Sequence, residues 1–560
     1  GSRSALNHEQ QHNGDLGNDN PLCWERADIM NDVYLSGVFS AFSVPNLVYR
    51  VELTHQGLEI CVLSNNERHT RLEAISTKDI VGCSCLRYST ECVKSIEAAN
   101  NAYLSICYYQ LKETKLRGII RKRFKIILQV STHKEFHKNL SLARKWRFCI
   151  LYLVREKYIG SPRYALADVR KLLILINPKS GSGKALGLFN NEVLPILKDS
   201  GVPFDFYVTK KCFDALNQIK NLDLSAWRGI VVASGDGLLF EVYNGLYARD
   251  DWESCMSFPV GIIPCGSGNG LARSLAHASG EPYTKQPIIV STLSILSGKL
   301  VPMDLVHVET EDQKYCAFLS IGWGMLADID IESEKLRMLG ESRFTAYAVT
   351  KIFNMKLYSG RLSYLPASPS KSNAIFHDED VNIIKRELEA IMSCSEVFSD
   401  TVYDKTAYKA NSLDELSNNF SSKNDVPNHN FSRRMTISSL NAPIPSNWSV
   451  VEDEFLMVYA VIQTHIGTDA FFAPQASLDD GVIWLIAVTS QATRMEMVQF
   501  FTGLGSGDHI KCPNTMVLPV KAFRLEPKSE QGHIVVDGEV VPYGKLQAEI
   551  WPSKGRILTR

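Results

Sequence analysis

Residues 231–237 read Val-Val-Ala-Ser-Gly-Asp-Gly, and Asp236 is the acid in this chain best placed for chemistry. A short apolar run stops at Gly235-Asp236-Gly237 and resumes as a helical pattern over 238–248. The acid therefore falls at the carboxyl end of a buried strand, where open α/β sheets hold their ligands. Glycine on each side lets a phosphate or a second backbone come close. An ordinary strand-to-helix turn with Asp as its cap would read the same way. Two neighbouring segments tip the balance. The strand-like run Lys171–Ile176 enters Asn177-Pro178-Lys179-Ser180-Gly181-Ser182-Gly183-Lys184, then a helical stretch over 185–197. A third run, 259–263, enters Pro264-Cys265-Gly266-Ser267-Gly268-Asn269-Gly270, then a helical stretch over 271–278. Three such units bring backbone N–H groups and helix N-termini together, which suits a polyphosphate.

The first loop is not a Walker P-loop. Gly183-Lys184 is followed by Ala185 where that motif needs a hydroxyl for Mg²⁺, and no Gly stands five positions before Gly183. A Gly-x-Gly-x-x-Gly turn followed some twenty residues later by an acid is absent too, which disfavours a dinucleotide fold.

Taken in order, Asn-Pro-x-x-Gly-x-Gly, Ser-Gly-Asp-Gly and Pro-x-Gly-Ser-Gly-Asn resemble the signature of the diacylglycerol-kinase-like lipid kinases. Within that superfamily the chain is most similar to the sphingosine kinases. Ser234 stands where ceramide and diacylglycerol kinases usually carry Gly. The stretches 238–246, 322–335, 522–527 and 536–539 match as well. The resemblance covers roughly 168–365 and 448–555. It implies an α/β nucleotide-binding domain over 168–310, then an antiparallel β-sandwich lipid-binding domain over 311–365 and 448–560.

It also implies roles. Residues matching Asn177, Pro178, Lys179, Gly266, Ser267 and Gly268 contact ATP. The stretch Thr209, Lys210, Lys211, Cys212, Phe213 lines the nucleotide, and Glu241, Asp537, Gly538 and Glu539 fall on the nucleotide side. Alone, Asp537-Gly538-Glu539 would be read as a hairpin tip. Mg²⁺ with ATP, together with Arg337 and Arg343, would neutralise phosphate charge. The latter two are six apart, not a same-face helical spacing, so Gly340 is expected to end the intervening helix. Asp236 would accept the proton of an alcohol nucleophile, with Ser234, Gly235 and Gly237 around the head group. Asp330 would pair with the protonated amine that separates sphingosine from ceramide, and Asp328 would cap the helix. Ceramide or diacylglycerol kinase, NAD kinase and an inactive lipid-binding scaffold are the rival readings.

The rest of the chain must hold these groups. Its 560 residues suggest three domains, and 45% apolar content supplies real cores. A formal net charge of −1 gives no global field for nucleic acid. Thirteen cysteines without CxxC or Cys/His spacing point to a reduced, cytoplasmic chain. No apolar run reaches the ~20 residues of a membrane span, so contact with membrane would be peripheral.

Residues 1–30 read as a polar tail. Residues 31–160 read as a mostly-β accessory module, with pleckstrin-homology-like as one reading. Its strand-like runs include 48–53, 58–63, 124–130 and 148–154, and Cys83 and Cys85 would share one strand face. Lys112, Lys115, Arg117, Arg121, Lys122, Arg123 and Lys125, with Arg144, Lys145 and Arg147, form either a lipid-attracting surface or a solvated basic face.

Residues 366–447 are rich in Ser, Asn and Asp and read as a disordered insertion with one helix near 381–392, dispensable for catalysis. Ser368-Pro369 and Arg433-Arg434-Met435-Thr436 resemble protein kinase substrate sites. The stretch from Phe344 to Tyr358 has apolar residues at helical spacing with lysines between. It reads as a helix packed on the core, or as one that binds a calmodulin-like Ca²⁺ sensor, which the resemblance implies. A homodimer is compatible with the sequence.

Overall fold

A computed structural model of the chain describes residues 33–42, 47–63, 70–86, 100–115, 118–155, 170–181, 183–333, 342–369, 381–393 and 436–560. The accessory module is one antiparallel sheet of seven strands: β1 (Val33–Ala41), β2 (Val48–Thr54), β3 (Gly57–Leu63), β4 (Thr70–Ser76), β5 (Ile80–Leu86), β6 (Ala102–Thr114) and β7 (Gly118–Val130). They lie in the order β4-β3-β2-β1-β7-β6-β5. Cys83 and Cys85 both lie on β5 and both reach the module's core. Helix α1 (Phe136–Val154) covers the sheet. The run 148–154, expected as a strand, forms the last two turns of α1. Every residue in it is buried, so its hydrophobicity carries no period that separates helix from strand.

The sheet of the α/β domain is parallel. It comprises β8 (Lys171–Ile176), β9 (Phe204–Val208), β10 (Trp227–Ser234) and β11 (Pro259–Pro264), ordered β9-β8-β10-β11. Its strands are near-continuous Leu, Ile and Val runs because both faces are covered by helices. Between β8 and β9 a helix runs through Ala185–Leu188, a π-turn at Phe189–Val193, and Leu194–Ser200; we label it α2. The other helices are α3 (Asp214–Asn221), α4 (Asp236–Tyr247), α5 (Gly270–Ser279) and α6 (Pro287–Leu296). The chain leaves β8 toward one neighbour and returns to β10 on its other side. The crevice between the carboxyl ends of β8 and β10 is therefore the topological switch point, where ligands bind.

The third unit is a β-sandwich. It contains β12 (Lys299–Thr310), β13 (Lys314–Ala317), β14 (Ser320–Gly324), β15 (Tyr358–Pro366), β16 (Ser449–Val461), β17 (Ile483–Thr489), β18 (Thr515–Pro527), β19 (Ile534–Val536), β20 (Glu539–Val541) and β21 (Leu546–Thr559). β16 and β18 are long enough to serve two layers. One part of each pairs with β15 and the other with β17. β21 pairs antiparallel with β12 and β18, and in parallel with β11 through Pro259↔Arg556 and Val260↔Ile557. The two domains thus share one hydrogen-bonded sheet. Helices α7 (Met325–Ser333) and α8 (Ser342–Phe353) pack on each other beside it.

Parts of the insertion are ordered: 381–393 and 436–447 lie among the described residues. Its helix forms, α9 (Val381–Ser393), and it docks away from its parent domain. Ile384, Leu388 and Ile391 enter the core of the accessory module, and Lys145 Nζ donates to Met392 O at 2.7 Å. The spacing i, i+4, i+7 puts all three side chains on one helix face. Residues 436–448 are also seated. The Thr436 hydroxyl donates to the Glu549 carboxylate, Gln547 Nε2 donates to Ser438 O at 2.8 Å, and Arg524 donates to Ala442 O and Ser439 O. Residues 433–435 of the Arg-Arg-Met-Thr pattern lie outside the described residues.

Candidate active site

The three glycine loops interlock at the switch point. The Asn177 side-chain oxygen accepts the Lys179 N–H at 3.0 Å, folding the first loop over the end of β8 and leaving Lys179 exposed. Ser234 is buried at the end of β10, and its hydroxyl donates to Ser180 Oγ at 2.8 Å. That hydroxyl ties the first loop to the second. A Cβ on Gly266 would lie 2.5 Å from Gly235 N, and one on Gly235 would lie 2.6 Å from Gly268 O. These contacts are backbone on backbone, so no side chain larger than hydrogen fits there.

Asp236 is the first residue of α4 and is 5% exposed. Its own N–H donates to Gly268 O at 2.9 Å. Its carboxylate accepts the Gly270 N–H at 2.6 Å and the Leu271 N–H at 3.4 Å, at the start of α5. The acid thus sits between two helix N-termini. Burial pushes its pKa up to about 7, the two amides pull it down, and Asp537 adds a further push upward. A carboxyl group poised there can gain or lose a proton near neutral pH, as general acid–base chemistry requires.

The tip of the β19–β20 hairpin closes the site from the sandwich. Asp537 and Gly538 both have positive φ, 51° and 85°, as a two-residue primed turn demands. The Asp537 carboxylate accepts three backbone N–H groups, from Phe318 at 3.0 Å and from Leu319 and Ser320 at 2.9 Å. Burial raises it to about 7 against those three bonds. Its carboxylate is therefore used to pin the turn onto the 318–320 segment. Glu539 reaches the second glycine loop, because a Cβ on Gly237 would meet its Oε1 at 2.6 Å. Asp330 on α7 stands across the turn, its Oδ2 3.9 Å from a Cβ on Gly538. Beneath α7 lies an apolar cluster that includes Met325, Ile329, Ile352, Tyr459, Phe472 and Phe500.

Glu241 acts one helix turn beyond Asp236. Its carboxylate accepts the N–H groups of Ala215 and Leu216 at the start of α3, and burial raises its pKa. It thereby fixes the 209–213 segment. Thr209 is buried with its N–H on Ile176 O, while Lys210, Lys211, Cys212 and Phe213 follow exposed, Phe213 with a φ of 56°. Arg337 lies outside the described residues. Arg343 lies on α8, where only the backbone is described.

Asp328 does not cap α7. Its carboxylate accepts the Tyr358 hydroxyl at 2.6 Å and His533 Nδ1 at 2.9 Å, and Lys351 Nζ lies 3.6 Å away. Lys351 also binds Glu332 at 2.7 Å. This cluster locks α7 to α8, β15 and the hairpin. Sequence reasoning missed it because its members come from four separate segments. Only the two acids on α7, one turn apart, gave a local signal.

Comparison with known proteins agrees with the geometry. Residues 171–308 match the family described as Diacylglycerol kinase catalytic domain, and residues 449–559 match the YegS C-terminal NAD kinase beta sandwich-like domain. Sphingosine kinase 1 of Homo sapiens is 33% identical over 400 residues, spanning 70% of this chain and 92% of that protein. Sphingosine kinase 2 of Homo sapiens is 29% identical over 604 aligned positions, spanning 94% of this chain and 91% of that protein. Sphingosine kinase 1 of Caenorhabditis elegans is 34% identical over 387 residues, spanning 66% and 77%. An acid poised between glycine loops at the switch point, joined to a sandwich and matched by these relatives, leads to one conclusion: the chain belongs to the sphingosine kinase family of ATP-dependent, diacylglycerol-kinase-like lipid kinases.

Proposed function

We propose that the enzyme transfers the γ-phosphoryl group of MgATP to the primary hydroxyl of a sphingoid base, giving the 1-phosphate and ADP. The observation that carries this is the buried Asp236 carboxyl, poised near neutrality beside three glycine loops. In the step, the acceptor O–H proton passes to Asp236, the acceptor oxygen bonds to phosphorus, and the bond to the ADP oxygen breaks. Phosphoryl transfer depends mainly on positioning and charge stabilisation. The loop at 177–181, the exposed Lys179 and the segment 266–268 supply backbone N–H groups and positive charge to the phosphates. Mg²⁺ arrives as part of the substrate complex.

Asp330 is the amine-recognising acid in this reading, and the apolar cluster behind α7 takes the alkyl chain. Exposed Lys112, Lys115, Lys122 and Lys125 support peripheral contact with anionic lipid from the cytoplasmic side. Exposed Val349 and Phe353 on α8 support a helix-binding Ca²⁺-sensor partner. Labelled ATP offered in parallel with sphingosine, ceramide, diacylglycerol and NAD tests the reading. Label in the sphingosine lane alone is expected, and preference for any other acceptor would refute it.

A further inference from the structure

We propose that Arg121, on the accessory module, positions Asp236 through helix α5 and is thus a positioning residue for phosphoryl transfer outside the catalytic fold. This rests on Asp236 being the base.

Arg121 is the fourth residue of β7, with its side chain 5% exposed. Its guanidinium donates to both Glu281 oxygens, at 2.6 and 3.0 Å, to Asp79, and to Tyr109 O at 2.9 Å. Its backbone N–H donates to Gln286 Oε1 at 2.7 Å. Glu281 and Gln286 span the connection between α5 and α6. Arg560 also donates to Glu281, at 2.7 Å. The connection is fixed to α5 itself. Glu281 N–H donates back to Ala276 O at 2.9 Å, and the Arg273 guanidinium stacks over Tyr283 at 5.3 Å. Whatever holds Glu281 therefore holds the last turn of α5.

The other end of that helix carries Gly270 and Leu271, whose amides hold the Asp236 carboxylate. A ten-residue helix is a stiff rod about 15 Å long. Without Arg121, Glu281, whose side chain is largely buried, and the half-buried Asp79 would have Arg560 as their remaining close guanidinium. A buried acid that loses its partner moves toward water. That movement would draw α5 from Asp236 and weaken the Gly270 hydrogen bond.

The consequence is specific. Asp236 is held down by α5 amides and pushed up by burial and by Asp537, with Glu539 against neighbouring Gly237. Loosening α5 removes the downward pull and leaves the upward ones. The acidic limb of the rate profile must then move to higher pH.

The experiment uses the full chain with Arg121→Met, Arg121→Lys and, as a milder variant that loses one hydrogen bond, Gln286→Ala. Turnover, KM for ATP and lipid, pH profiles and hydrogen exchange of residues 270–279 are measured on folded protein. Arg121→Met is expected to lower kcat roughly tenfold or more, to leave KM for ATP nearly unchanged, to raise the acidic limb and to speed exchange in α5. Lysine is expected to restore part of this, and Gln286→Ala to shift the limb in the same direction. An unchanged limb with slow α5 exchange would overturn the proposal, as would losses that track only the folded fraction. Asp236→Asn is assayed alongside. If it stays active, the base assignment fails; if it is dead while the Arg121 and Gln286 variants keep the wild-type limb, only the positioning role fails.

Discussion

The Asp236 carboxylate accepts the Gly270 N–H at 2.6 Å, so one acid ends the second glycine loop and caps the helix that follows the third. The acid proposed as the base is thus built into the scaffold of the glycine loops. Its substitution should therefore separate chemistry from folding.

Asp236→Asn is expected to cut lipid phosphorylation by at least about 10²-fold, the usual worth of a general base. Asparagine can still accept the Gly270 N–H, so ATP affinity should stay close to wild type. Phosphorylation rate and calorimetric ATP binding, measured on the same preparation, check this. Retention of more than about a tenth of turnover would remove the base role.

The pH dependence carries a definite sign. Asp236 and Asp537 are both raised to about 7 in the folded chain. Raised carboxylates contribute stability that is fully present below their unfolded pKa of about 3.9 and lost as pH climbs through the folded value. Thermal midpoints should therefore fall between about pH 4 and 7, and less steeply in Asp236→Asn. If Asp236 is the base, as proposed, activity should run the other way, rising through pH 7 as it ionises. Melting curves and kcat/KM across this range test both slopes.

Asp330→Asn tests substrate recognition. A charged pair is worth about 1.5–3 kcal/mol, so kcat/KM for sphingosine should drop about ten- to a hundredfold, with little change for an N-acylated analogue. Equal losses for both lipids would leave Asp330 a structural acid.

Gly266→Ala should disable the site without unfolding the chain. Its Cβ would lie 2.5 Å from Gly235 N and 2.7 Å from Ser180 Oγ, which forces the second and third loops apart. Loss of ATP binding is expected, with near-normal circular dichroism. An alanine variant that binds ATP normally would show that the loops are not interlocked as described.

Leu388→Ala should destabilise the accessory module by about 2–5 kcal/mol, since Leu388 is fully buried in its core. Hydrogen exchange in α1 and β1 is the measure. Deleting 366–447 should have the same effect on the module, whereas the segment's composition leads one to expect catalysis in detergent micelles to stay largely unchanged.

The parallel sheet and its loops were legible because fully buried strands are continuous apolar runs and glycine marks each turn. Asp236, the hairpin tip at 537–539 and the helix near 381–392 were legible for similar local reasons. What those elements touch was not. The Asp537 carboxylate reads as a phosphate-side acid until its partner Phe318, 219 residues away, is known. Nothing in the order of residues signals that the Ser234 hydroxyl bonds to Ser180, 54 positions upstream. The basic residues of the module read as one surface. In the fold Arg121 is buried and Arg123 pairs with Asp199, while Lys112 and Lys122 lie over Phe124. Composition records charge but not direction.

The parallel pairing of β21 with β11 has a consequence for synthesis. Residues 259–260 of the nucleotide-side sheet wait for residues 556–557 to complete their edge. The turn that faces Asp236, at 537–539, is translated almost as late. Until both have been translated, the glycine loops stand in an unfinished sheet without their acidic cover. A chain translated only as far as residue 536 therefore has the glycine loops without that turn and without that edge, and is expected to be inactive.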